Sequence, residues 1–159
     1  MKSQKATQAV GGLSASHNLS FLFSRLAIAI VMWPHGAQQL LGWFGGFGFS
    51  GTMNYFTQTV GLPYFIAVMV IYIQFFGSLM ILFGWFIKTN AILMGVIVVG
   101  MIFSGHVEHG FFMNWAGNQA GEGFEFHILL LGLCISLLLS DKQKFSIDYL
   151  LHSKPSQTT

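Results

Sequence analysis

Three stretches of this chain concentrate the side chains that could hold a ligand or move a proton. In residues 34–52, PHGAQQLLGWFGGFGFSGT, His35, Gln38 and Gln39 sit at i, i+3 and i+4, so they share one helix face. Residues 105–119, GHVEHGFFMNWAGNQ, place His106 and His109 one turn apart with Glu108 between them. Residues 121–127, GEGFEFH, set Glu122 and Glu125 at the opening of a helix, where negative charge suits the dipole, and His127 follows. Imidazoles titrate near neutral pH, with an ordinary pKa of about 6.5, so a cluster of them with carboxylates could relay protons. The same groups could also bind Zn or Fe. With no HExxH and no CxxC in the chain, a proton-handling or hydrogen-bonding network of His35, His106, Glu108, Glu125 and His127 is the expected chemistry. A metal on His106, His109 and His127 is the weaker alternative, and a haem between facing histidines weaker still.

Two polar residues stand apart from this group. Arg25 lies inside an apolar run, about 9 Å along the helix from its start at residue 19. Intramembrane arginines either snorkel to headgroup phosphates or face the bundle interior. Arg25 and Gln74 are therefore the candidates for binding a quinone-like head group. Residues 46–51 spell GxGxxG, but a dinucleotide site needs that motif between a strand and a helix, and here an apolar helix precedes it. Cys134 is the single cysteine, so no internal disulfide can form.

The elements that must position these residues are membrane helices. The 159-residue chain is 53% hydrophobic and only 8% charged, against about 25% charged for a soluble domain. Apolar spans are expected at 19–41, 64–86, 91–106 and 124–139, the last being short for a crossing. Between them lie the uncharged glycine-rich loop 42–63, read as resting at the interface, a tight connector at 88–90, and the His/Glu loop. The predicted fold is an all-α, four-helix transmembrane bundle, residues 19–140. A polar N-terminal arm (1–18), which does not read as a signal peptide, precedes it, and a charged tail (141–159) follows. Lys2, Lys5, Lys88, Lys142, Lys144 and Lys154 all fall in the arm, the 88–90 connector and the tail. By the positive-inside rule both termini are then cytoplasmic, and the loops bearing the histidines face outward. A net charge of +2 with scattered lysines does not suggest nucleic acid.

Arg25, HGAQQLLGWFGGFGFSGT and HVEHGFFMNWAGNQAGEGFEFHILLLG together resemble the DoxX family of small bacterial inner-membrane proteins, over residues 19–139. The resemblance implies a four-helix membrane bundle whose members are described as subunits of quinone-linked oxidoreductases or as partners in redox-stress complexes. Arg25, His35, Gly36, Gly42, Gly45, Gly46, His106, Gly110, Phe111, Glu125 and His127 match its motif. Gln39 stands where the family usually has Lys, and Phe126 where it has Tyr. These changes remove a cation and a phenol from the outer end.

The expected function is an integral, at most accessory, subunit of a bacterial inner-membrane oxidoreductase complex. It would contact quinone and other membrane or periplasmic redox subunits, with a homo-oligomer also open. The rival is a non-catalytic scaffold docking partners through its aromatic loops. A solute conduit is disfavoured because no paired broken helices are apparent.

Overall fold

The computed structural model describes residues 2–140 and 143–152, with side chains from residue 18 onward. Among them there is no strand. Helix α1 (Lys2–Leu41) contains Pro34 and runs on without interruption. The segment predicted as a separate arm continues this helix; its side chains to residue 17, and tail residues 141–142 and 153–159, lie outside the described residues. After a 3₁₀ turn (Trp43–Gly45) come α2 (Gly48–Asn54) and a π turn (Tyr55–Thr59). Helices α3 (Tyr64–Tyr72) and α4 (Ser78–Phe83) are one rod joined by a second π turn, Ile73–Gly77. Helix α5 (Ile87–Met101) runs through a third, Ile102–His106, into a 3₁₀ turn, Val107–His109. Helices α6 (Glu125–Leu138) and α7 (Ile147–His152) complete the chain.

Three stretches, Asn18–Leu41, Tyr64–Phe83 and Ile87–His109, are long and apolar enough to cross a membrane. The 14 residues of α6 rise only about 21 Å, against the ~30 Å of a hydrocarbon core. No more than a third of any spanning window is buried in the protein, so most of each helix presents apolar side chains outward to lipid. The core lies where α1, α4, α5 and α6 meet, around Ile28, Ile81, Met94, Val98, Leu130 and Leu137.

The glycine-rich loop is more structured than its composition suggests. Met53 on α2 packs with Ala67 and Ile71 of α3, and Phe49 joins them, so the loop folds back onto the bundle. Phe47 and Phe44 stay exposed. Gly42, Gly45 and Gly48 all take positive φ, which glycine adopts without strain in the tight connection from α1 to α2. At the far end of the bundle, Gly84 adopts φ 71 to close α4. Phe86 follows at φ 49, held by Asp148, whose carboxylate accepts the Phe86 and Ile87 amides at 2.9 and 3.0 Å.

Candidate functional site

Histidines from three helices gather near one end of the bundle. His127, in the first turn of α6, is 7% exposed. Its ring lies 4.2 Å, centroid to centroid, from that of His106 at the end of the third π turn. His35 on α1 is close enough to interact electrostatically with His127. His106 Nδ1 lies 2.8 Å from the Glu122 carbonyl. A carbonyl can only accept, so Nδ1 carries the proton and Nε2 of the neutral ring keeps its lone pair. His127 Nδ1 is buried without a partner.

One turn beyond His35 on α1, Gln39 forms an amide pair with Gln74 of the second π turn. Gln39 Nε2 donates to Gln74 Oε1 at 3.0 Å, and Gln74 is 0% exposed. Gln38, expected on the same face, instead donates to the Phe44 carbonyl at 3.3 Å and ties α1 to its loop. The amide pair leaves Gln39 Oε1 and Gln74 Nε2 buried and unpartnered. Exchanging O and N on both amides would again leave one acceptor and one donor, so the pair offers one of each in either assignment. Two features bring Gln74 here. It lies in the second π turn, whose wider winding re-aims side chains. The rod also approaches α1 at Gly36, where a Cβ would sit 2.5 Å from the Phe75 amide nitrogen.

The carboxylates serve the loop instead. Glu125 Oε1 accepts the Met113 amide at 3.1 Å and Trp115 Nε1 at 3.2 Å. Glu122 Oε2 accepts the Asn114 amide at 2.7 Å, and Asn114 in turn exchanges hydrogen bonds with the Gln119 backbone. Backbone bonds from Phe124 to Gly110 and from Glu125 to Phe111 close the loop at its base. Glu108 is solvent-exposed and 3.7 Å from His109, which packs against Gly121. Of the predicted network, then, His35, His106 and His127 are brought together, while Glu108 and Glu125 have other partners. Among the described residues no three His, Cys, Asp or Glu side chains are grouped to hold a metal ion.

Arg25 and Gln74, predicted as one head-group pocket, occupy separate places. Gln39, which holds Gln74, lies 14 residues from Arg25 along α1, about 21 Å by helical rise. Arg25 is 2% exposed and donates to the carbonyls of Ile81 (2.9 Å), Leu82 (2.7 Å) and Phe145 (2.6 Å) and to Gln143 Oε1 (3.3 Å). It thus satisfies the last carbonyls of α4 and pins the segment leading to α7 against them. Gln143 could not be foreseen, because a glutamine in a polar tail looks solvated. The roles of Asn114 and Asp148 had a trace, since both residue types favour turns and helix starts.

Apolar helices of spanning length around an almost charge-free core, with polar groups collected at the helix ends, define a small helical membrane protein. The DoxX family profile matches residues 20–107, more than half of the chain, and the protein belongs to that family. It is 29% identical over 113 residues to "Inner membrane protein YqjF" of Escherichia coli, covering 71% of this chain and 82% of that protein. It is 25% identical over 136 residues to "Putative oxidoreductase CatD" of Bacillus subtilis, covering 86% and 90%. No solved structure matches.

Proposed function

We propose that the protein is an integral subunit of a quinone-linked or redox-stress oxidoreductase complex in the bacterial inner membrane. In this reading its termini are cytoplasmic and its histidine cluster lies toward the outer face. The observation that carries it is the pairing of His127 with His106 together with an amide pair that is hydrogen-bonded on one side only. Buried polar groups without partners are uncommon, and a bound molecule is one reason for them. A quinone head, which accepts two electrons and two protons on becoming a quinol, presents carbonyl and hydroxyl oxygens. Gln74 Nε2 is suited to donate to such an oxygen and Gln39 Oε1 to accept from a hydroxyl. The lone pair on His106 Nε2 and the unpartnered His127 Nδ1 are suited to hold or pass a proton at the same end of the bundle. The oxidoreductase name of the Bacillus relative and the inner-membrane name of the Escherichia relative agree with this assignment.

Purification from native membrane in mild detergent, with mass spectrometry of co-purifying chains and extraction of bound quinone, tests the proposal. Redox subunits or quinone are expected, and His106→Ala and Gln74→Leu should each lower quinone-dependent electron transfer. A colourless complex without quinone, together with unchanged electron transfer in His106→Ala, would refute it.

A scaffold role has its own support. Trp115 is 86% exposed, and with Phe112 it stands on a loop that Glu122 and Glu125 hold in shape. If docking is the function, Trp115→Ala releases a partner while histidine substitutions have no effect.

A further inference from the structure

We infer that the segment from Phe145 through α7 is a membrane-surface foot, seated at the boundary between headgroups and acyl chains and held at fixed depth by Arg25. Its sequence, with Lys144, Asp148 and His152, reads as a solvated tail. Its structure is otherwise. Arg25 grips the Phe145 carbonyl and Gln143. The Lys144 amide donates to Asn18 Oδ1 at 2.9 Å, tying the segment to α1. Asp148 is bound on both sides: its amide donates to the Gly84 carbonyl at 3.0 Å, and its carboxylate takes the Phe86 and Ile87 amides. The described part of the tail is thus fastened to two helix ends.

Fastening the polar groups inward leaves the apolar ones outward. Phe145 is exposed, and Leu150 and Leu151 are 71% and 68% exposed. Phe83 and Trp85, also exposed, flank Gly84, whose carbonyl takes the Asp148 amide, and exposed Leu139 follows α6 at the same end of the bundle. Large apolar side chains left exposed together at one end of a bundle mark a surface that water does not cover. The occupant follows from continuity. Phe83 ends a helix whose outward face already meets lipid, and the next residue, Gly84, takes the Asp148 amide on its carbonyl, so α7 continues directly from that end. Lys88 and Lys144, both exposed at this end, favour anionic headgroups. A short element with an inward polar side, an outward apolar side and nearby lysines fits an interfacial position.

The test uses the unmodified chain in proteoliposomes of phosphatidylethanolamine and phosphatidylglycerol doped with a phospholipid carrying a photoactivatable diazirine in its acyl chain. After illumination and digestion, adducts are expected on Phe145, Leu150 or Leu151, at yields comparable to those on outward residues of α5. Labelled spans with no label on 145–151 would overturn the inference, whether water, a partner protein or a second copy covers the patch instead. An independent reading places a nitroxide at Leu151→Cys in a Cys134→Ala background. The inference requires stronger relaxation by oxygen than by a water-soluble nickel chelate, and the reverse order refutes it.

Discussion

Arg25→Ala should loosen both ends of the connection that this side chain spans. The substitution removes four hydrogen bonds and leaves the carbonyls of Leu82 and Phe145 without their donor, while that of Ile81 keeps only the Gly84 amide at 3.1 Å. Two orphaned acceptors at about 1–3 kcal/mol each, with the lost charge-assisted bond to Ile81 at about 1.5–3 kcal/mol, give roughly 3.5–9 kcal/mol before relief. Relief comes from two sources. The Leu82 and Phe145 contacts are only partly buried, so water can reach them. The wild-type chain also carries the cost of an arginine within the membrane, about 2.5–3.5 kcal/mol at a helix centre on insertion scales. A net loss of about 3 kcal/mol remains. At roughly 2–4 °C per kcal/mol for a chain of this size, the unfolding midpoint should fall by about 6–12 °C. Cys134, buried and the single cysteine, provides the assay: a thiol-reactive dye reports its exposure during heating in mild detergent. Arg25→Lys should fall between the two, because one ammonium cannot reach all three segments at once. The α7 segment should also exchange its amides faster in the alanine variant. A midpoint within about 2 °C of wild type, worth less than roughly 1 kcal/mol, would refute the structural role. If such a stable variant also lost quinone, Arg25 would be a head-group anchor after all.

Two further substitutions probe the end of the bundle that holds the histidines. Gly36→Ala puts a methyl group against the Phe75 and Gln74 backbone, which cannot swing aside as a side chain can. It should cost about 1–3 kcal/mol in the same thermal assay and separate Gln39 from Gln74; a neutral result would mean that the helices do not approach as closely as described. Glu125→Ala removes the acceptor shared by the Met113 amide and Trp115 Nε1. Limited proteolysis should then cut faster between residues 112 and 120, with the global midpoint falling by no more than a few degrees, and unchanged cleavage would show that the loop holds itself.

The helical membrane fold was legible because it rests on length and polarity alone: long apolar runs with almost no charge can satisfy their backbones in lipid only as helices. The gathering of His35, His106 and His127 was legible for a related reason, since all three lie near helix ends that a bundle of alternating direction brings to one side. What could not be read was which polar group each side chain chooses. Gln38 and Gln39 are adjacent and chemically identical, yet one ties a loop and the other pairs with Gln74. Glu125 was grouped with the histidines by its position, but once the loop closes its carboxylate is taken by Trp115 and the Met113 amide. Arg25 was correctly placed inside the apolar region. Its partners are mostly backbone carbonyls, which leave no mark in a sequence.

The π turns at 55–59, 73–77 and 102–106 give the fold a property of chain length. A turn closed from i to i+5 encloses one residue more than a turn closed from i to i+4. Each π turn therefore stores one residue that the helix could lose by tightening, with the flanking segments left near their places. Elsewhere in a helix, a single deletion rotates everything beyond it by about 100° and turns the core face toward lipid. Residues 73–77, between α3 and α4, are thus a point where a chain can be one residue shorter and keep the same bundle, while 55–59 and 102–106 would absorb the loss at the ends of their helices. Two of these points hold Gln74 and His106. A relative that has shed a residue there would retain the membrane architecture and have its polar end rebuilt.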